Sequence, residues 1–263
     1  MRPRRVIQAT FLLAFFVAAL VAQRGYRQYY DEPADTAEKT EWAFVRLRYT
    51  NQGFGGFGRR GRGGWATDWP EADMHFIEGV RRLSRIHTRS VGKIVDIDLD
   101  NDEIYKWPWA YTLEVGGWDL NDRQTAKLRD YLLRGGFLMI DDFHGEYEWD
   151  GFVRTMNRIF PDRPIVEMEN SDPVFHVLYD LNDRIQVANV SWAKAGYTYE
   201  REDGKIPHWR GIYDDKNRLM VAICFNMDYG DAWEWADDPG YPAKMTIEAY
   251  QLGINYIIYS MTH

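Results

Sequence analysis

Short apolar runs alternate with amphipathic helical patterns along most of the chain. The runs that predict strands are residues 42–49, 94–97, 109–115, 136–140 and 164–168. Between several of these runs, apolar residues recur at spacings of three and four, which is typical of helices with one buried face. Strands that alternate with helices favour a mostly parallel sheet with helices on both of its faces.

Polar residues at the ends of these patterns predict where the helices begin and end. Asp68 is placed to cap a helix, with Glu71 three residues later as the partner of a capping box. Asn121 and Gln124 form the same pattern before the next helix, and Gly135 is expected to end that helix. A shorter helix is predicted over residues 149–160.

The pattern changes after about residue 185. Residues 208–213 and 218–225 are apolar runs that flank the polar turn 214–217, which predicts a hairpin. A final helix follows, with an apolar face spaced by three and four. We therefore predict an α/β domain over residues 42–263, in which a C-terminal hairpin and helix are added to the sheet.

The amino terminus carries a different signal. Arg2, Arg4 and Arg5 precede an apolar run over residues 6–22. A helix of that length spans roughly 25 Å, slightly less than the apolar thickness of a bilayer. A cleavable signal peptide has a similar composition, but tyrosines after the run favour a single transmembrane helix. The predicted anchor residues are Phe11, Leu12, Phe15, Phe16, Tyr26 and Tyr29.

These features define the predicted domains and location. Residues 1–30 are the anchor or signal segment, residues 31–41 are a polar linker, and the folded domain follows. The arginines before the apolar run favour a cytoplasmic amino terminus. We expect a single-pass protein of the inner membrane whose folded domain lies on the periplasmic side.

Composition narrows the choice of partners. The net charge of −8 argues against nucleic acid as a ligand. Eleven Trp and 17 Tyr are many for this length and suggest contact surfaces as well as a core. Cys224 is the only cysteine, within an apolar run, so we expect a small buried side chain and no intramolecular disulfide.

The most chemically suggestive residues follow the strand at 136–140. Asp141, Asp142 and His144 come directly after this run. In open α/β sheets, ligands gather at the carboxyl ends of strands. These side chains could hold a divalent metal or act in acid–base catalysis. Alternatively, the acids cap the following segment and the histidine bonds within the turn.

Two other segments could bind a ligand or a partner. The loop at 53–64 is rich in glycine and carries Arg59, Arg60 and Arg62, which could hold an anion or form a docking arm, or could be a plain surface loop. Residues 227–241 mix acids with aromatics, among them Trp233, Glu234 and Trp235. They could form the wall of a pocket beside Asp141, or pack under the final helix.

Three segments together resemble a known family. They are residues 65–70, residues 134–145, and residues 208–213 with 227–235. They resemble the bacterial domain of unknown function 4159, which implies the class I glutamine amidotransferase-like, flavodoxin-like fold and no agreed activity. Enzymes of that fold keep a nucleophilic cysteine on a tight turn after a central strand. Asp141 and Asp142 occupy the matching turn here, which disfavours a nucleophilic amidotransferase.

Two functional hypotheses follow. The first is a non-catalytic, membrane-anchored accessory subunit that docks on a larger integral membrane complex, respiratory or photosynthetic in type, and contacts the bilayer. The second is an anchored metal-dependent hydrolase or ligand-binding protein that uses the acids after the 136–140 strand. Whether the protein is an enzyme stays open, with the missing nucleophile favouring no. We predict no cofactor, with one exception: the acids could bind a divalent metal.

Overall fold

A seven-stranded mixed sheet lies at the centre of this computed structural model, which describes residues 39–51, 64–91 and 94–263. Across the sheet the strand order is β3-β1-β4-β6-β9-β8-β7, and β2 pairs with β5 in a separate antiparallel ladder. The strands are β1 (Val45–Arg48), β2 (Thr50–Asn51), β3 (Val95–Asp98), β4 (Trp109–Leu113), β5 (Trp118–Asp119), β6 (Phe137–Asp141), β7 (Val166–Glu167), β8 (His208–Tyr213) and β9 (Leu219–Phe225).

Five neighbouring strands, β3, β1, β4, β6 and β9, run parallel to one another. Beyond β9, β8 runs antiparallel to β9 and β7 runs antiparallel to β8, so β8 is the reversed strand of this sheet. β9 lies directly beside β6, with Leu138 opposite Val221. The carboxyl ends of β4, β6 and β9 therefore meet at one edge of the sheet.

The fold prediction needs two corrections. The hairpin is not an addition to the sheet, because both of its strands belong to it: β9 continues the parallel run, and β8 makes the sheet mixed. The predicted transmembrane helix is also not supported, since no helix within the described ranges is long and apolar enough to cross a membrane. The predicted anchor residues, from Phe11 to Tyr29, lie outside the described residues.

Helices cover both faces of the sheet. They are α1 (Glu71–Leu83), α2 (Asp122–Leu133), α3 (Gly145–Ile159), α4 (Val190–Lys194), α5 (Tyr229–Glu234) and α6 (Ala243–Thr262). Successive residues of β6 point to opposite faces, as strand geometry requires. Phe137 and Met139 join the core under α1 and α6, whereas Leu138 and Ile140 join the core under α2 and α3.

The predicted helix ends are right for α2 and wrong for α1. Asn121 and Gln124 form the predicted capping box at the start of α2. Asp68 does not cap α1, which begins at Glu71 with Pro70 before it and no side-chain cap. Asp68 instead has a left-handed backbone, with φ of 58°, and its side chain faces other acids at the edge of the sheet.

α3 begins four residues earlier than the apolar spacing predicts. The amide of Gly145 donates to Asn226 Oδ1 at 2.9 Å, and the amide of Glu146 donates to Asp203 Oδ2 at 3.0 Å. Acceptors from distant loops therefore bond the free amides of this helix end, which its own sequence leaves uncapped. A local pattern does not reveal such partners.

A buried ion pair holds the loop that carries Asp68. The Arg46 guanidinium on β1 bonds both carboxylate oxygens of Asp73 on α1, and both side chains are fully buried. The same guanidinium donates to the carbonyls of Trp65 and Thr67 at 3.0 and 2.9 Å. Because one cation joins β1, α1 and this loop, the ion pair positions Asp68 at the sheet edge.

The last helix carries a second buried acid. Glu248 on α6 is 7% exposed, and its Oε1 has no hydrogen-bond partner among the described residues. Burial raises the pKa of Glu248 to about 7, although the positive charge of Arg184 lowers it in part. The folded protein therefore favours the protonated form of this side chain.

We expect Asp73→Asn to lower the free energy of unfolding by about 3 kcal/mol, since it leaves a buried guanidinium without its counter-charge. The matched control is Asp96→Asn, because the Arg48–Asp96 pair is exposed on both sides. That change should cost less than about 1 kcal/mol. Urea denaturation measures both values, and equal losses would contradict the structural role given to Arg46.

Glu248 should make the protein less stable as the pH rises. Between its unfolded pKa and its folded pKa of about 7, only the folded state holds the proton, so stability falls across this range and levels off above it. We expect Glu248→Gln to be more stable than the native chain by about 2 to 3 kcal/mol at pH 8, with no gain near pH 4. Unfolding curves at several pH values test this, and a difference independent of pH would contradict it.

Candidate functional site

The turn after β6 is the centre of the candidate site. Asp142 follows the strand with φ of 47°, a left-handed conformation that is uncommon for a residue with a side chain. Its amide donates to the carbonyl of Met227 at 3.1 Å, and its carbonyl accepts from the amide of Glu114 at 3.0 Å. The turn is thus bonded to the segments that follow β9 and β4. These backbone bonds set the direction of the Asp142 side chain.

Asp141 is buried and holds the start of α5. Its Oδ2 accepts from the amides of Tyr229 and Gly230 at 2.8 and 3.0 Å and from the hydroxyl of Tyr111 at 3.1 Å. Burial raises the pKa of Asp141 to about 7, and these hydrogen bonds act against that shift. Asp141 Oδ1 has no partner among the described residues. This acid therefore supports a helix end, and its side chain is closed to solvent.

Asp142 and His144 are in contact, as their spacing after β6 suggests. His144 Nε2 lies 3.2 Å from Asp142 Oδ1 and 3.7 Å from Glu200 Oε1. Both side chains of the Asp142–His144 pair are about nine-tenths buried. His144 Nδ1 has no hydrogen-bond partner in the described part of the chain. The imidazole thus fixes Oδ1 of Asp142.

Further acids surround Asp142, and together they form what we call the carboxylate cluster: Asp68, Asp142, Asp228, Asp231 and Glu234. One oxygen each from Asp68, Asp142 and Asp228 lies within 4.8 Å of the others, and the same is true of Asp68, Asp231 and Glu234. Asp68 belongs to both groups. The cluster draws on three segments of the chain: the loop before α1, the turn after β6, and α5 with the residue before it.

Two acids of the cluster, Asp228 and Asp231, each use one carboxylate oxygen to hold the backbone. Asp228 Oδ1 accepts from the amide of Asp231 at 2.7 Å and so caps α5. Asp231 Oδ2 accepts from the amide of Val190, which ties α4 to the cluster. Glu234 is half-buried, and burial together with the negative charge of Asp231 raises the pKa of Glu234 to about 7.

The cluster concentrates negative charge away from water. Burial raises the pKa of Asp68, Asp142 and Asp228 well above the usual range, and repulsion from neighbouring carboxylates adds to each shift. Arg46 is the nearest cation to Asp68, but it is already bonded to Asp73. Within the described residues, no lysine or arginine forms an ion pair with these three acids. The arrangement can bind protons or a cation.

The structure places the other predicted site residues apart from this centre. Trp233 is fully buried and stacks on Phe76, with ring centroids 4.1 Å apart, so its ring is not available to a ligand. Trp235 is partly buried near Lys194, whose Nζ lies 5.1 Å from its ring. Arg59, Arg60 and Arg62 lie outside the described residues.

Cys224 is buried in β9, as predicted, and burial raises the pKa of its thiol well above the usual range. Its Sγ lies 3.9 Å from the hydroxyl of Tyr256. A thiol that is both protonated and enclosed is a poor nucleophile. The turn after β6 holds acids instead, so the described residues offer no cysteine nucleophile at this edge.

Sequence reasoning missed two important members of the site. Asp68 was interpreted as a helix cap, and Glu114 was not singled out, yet Glu114 accepts from the amide of Gly64 and from Thr67 Oγ1 at 2.8 Å. Both residues have left-handed backbones, with φ of 58° and 48°. Aspartate adopts this conformation more often than most residues, so Asp68 carries only a weak local sign of it, and Glu114 carries none.

No protein of curated function matches this chain. The family described as Domain of unknown function (DUF4159) matches residues 43–261, a range that includes the whole carboxylate cluster. The chain therefore belongs to the family of the domain of unknown function DUF4159.

Proposed function

We propose that this protein is a non-catalytic accessory subunit that docks on a larger membrane protein complex. The observation that carries the proposal is the use made of the acids at the sheet edge. Asp141, Asp228 and Asp231 each bond backbone amides in the first turn of α4 or α5. These bonds build a fixed surface, and the turn after β6 presents no nucleophilic thiol or hydroxyl.

An exposed aromatic surface beside the cluster supports docking. We call it the aromatic rim: Trp192, Tyr197 and Tyr199. Trp192 and Tyr197 are 38% and 45% exposed and meet edge to face, with ring centroids 5.5 Å apart. Tyr199 continues the rim at 5.7 Å from Tyr197. Aromatic side chains of this kind are enriched in protein interfaces because they bury a large area and still carry a polar group that can form hydrogen bonds.

Hydrogen bonds hold the segment that carries the aromatic rim in place beside the carboxylate cluster. The amide of Val190 bonds Asp231, and Asn189 bonds Glu200 through both its backbone amide and its side chain. A surface held in one conformation loses little entropy when it binds. This supports the rim as the contact surface.

We also propose that the sheet follows the class I glutamine amidotransferase-like, flavodoxin-like arrangement. In chain order, the five parallel strands β1, β3, β4, β6 and β9 lie in the spatial order 2-1-3-4-5, which is the flavodoxin-like order. The tight turn at Asp142 follows the fourth of them. In this interpretation the protein keeps the scaffold and has acids at the position of the nucleophile.

The partner that we propose is a complex of the bacterial inner membrane, of respiratory or photosynthetic type, met on the periplasmic side. The membrane location in this proposal rests on the composition of the amino-terminal residues alone. It requires no membrane-spanning helix within the folded domain.

The double variant Trp192→Ser, Tyr197→Ser should reduce partner binding at least tenfold, because it removes two large contact side chains. The matched control is Leu133→Ser, an exposed residue just before β6, at the opposite edge of the sheet. Native co-purification of the full chain from solubilised membranes, with quantification of the bound partner, measures the effect. Isolation of the native chain only as a monomer would contradict the proposal.

A second candidate is a hydrolase that uses Asp142 as its base. The observation that favours it is the contact between Asp142 and His144 at 3.2 Å, on a tight turn at the end of a central strand. Such a pair at this position could activate water. Purified protein should then hydrolyse simple ester or phosphate-ester substrates, and Asp142→Asn should lower the rate at least a hundredfold. Equal rates in the two proteins would exclude this role.

A further inference from the structure

We propose that a hard divalent cation of the Ca²⁺ or Mg²⁺ class binds between Asp68, Asp142 and Asp228. This site depends on neither function proposed above. It differs from the metal site that the sequence suggests, because Asp141 and His144 do not contribute ligands. Two acids from other segments, Asp68 and Asp228, take their place beside Asp142.

The spacing of the three carboxylates fits such an ion. One oxygen from each lies within 4.8 Å of the other two. Ca²⁺ binds oxygens at about 2.3 to 2.6 Å, so ligands on opposite sides of the ion lie about 5 Å apart. The three oxygens therefore need little movement to share one Ca²⁺, and a modest contraction to share Mg²⁺.

Neighbouring groups orient two of the three ligands. His144 Nε2 contacts Asp142 Oδ1, and the amide of Asp231 donates to Asp228 Oδ1. The protein thus holds one oxygen of Asp142 and one oxygen of Asp228 in place. Hydrogen bonds of this kind to metal ligands fix their direction and strengthen binding.

An unpartnered oxygen of one of the three acids indicates independently that something is bound here. Asp68 Oδ2 is enclosed and has no hydrogen-bond partner among the described residues. A Cβ at Gly230 would lie 2.3 Å from Asp68 Oδ2, so the glycine leaves room for this oxygen. Buried carboxylate oxygens without donors are costly unless a cation or proton satisfies them.

The balance of charge favours a cation over shared protons for this group. Three carboxylates within 4.8 Å carry three negative charges, with Glu114 and Glu200 close enough to repel Asp142. Asp231 makes side-chain hydrogen bonds with both Glu234 and Asp68, so protons satisfy that side of the cluster. Asp68, Asp142 and Asp228 converge from three segments, and one divalent ion satisfies all of them together.

The experiment uses the full chain, purified and stripped with EDTA. Isothermal titration with Ca²⁺, and separately with Mg²⁺, should show one ion bound per chain and a rise in melting temperature. Terbium, which substitutes for Ca²⁺, should give luminescence sensitised by the tyrosines and tryptophans near the cluster. Terbium binding needs no variant, so a variant that fails to fold does not block the test.

Asp68→Asn and Asp142→Asn should each weaken binding of the preferred ion by about 10- to 100-fold. Asp215→Asn is the matched control, since Asp215 lies on the exposed turn between β8 and β9. It should bind the ion as the native chain does. The proposal is overturned if neither ion nor terbium binds the stripped native chain, or if Asp142→Asn binds the ion as tightly as the native chain.

Discussion

The guanidinium of Arg46 is the interaction on which the sheet edge depends. It enters the core from β1, neutralises Asp73 on α1 and holds the carbonyls of Trp65 and Thr67. A cation buried so deeply is stable only when its donors are satisfied, and here they are shared among three segments. Loss of any one acceptor would leave a buried N–H donor of Arg46 unsatisfied, so the loop that presents Asp68 has little freedom.

This arrangement separates two kinds of buried acid. Asp73 faces a cation and is compensated within the protein. The carboxylate cluster, only one loop away, has no such counter-charge among the described side chains. The apolar layers on both faces of the sheet, with β6 wholly buried between them, stabilise the fold and offset the unfavourable energy of such a cluster. The fold thus keeps an energetically unfavourable group of acids at the edge of a well-packed sheet.

Local patterns predicted much of this fold because the physics involved is local. The apolar run of β6, the Asn121 capping box and the apolar spacing of α6 depend on residues a few positions apart. The place of β9 beside β6 could not be predicted in this way, since hairpin strands can pair with each other alone. The cluster was equally hidden, because Asp68 and Asp228 meet only after α1, β6 and α5 have packed together.

The pairing of β6 with β9 also determines how late in folding the central strand gains its second neighbour. Leu138 and Val221 face each other although they lie about 80 residues apart, a contact of high sequence separation that forms slowly. Until the ribosome has released β9, one edge of β6 has exposed backbone donors and acceptors on an otherwise apolar strand. Such an edge pairs readily with other chains. The carboxyl-terminal fifth of the protein is therefore what protects its central strand from aggregation during synthesis.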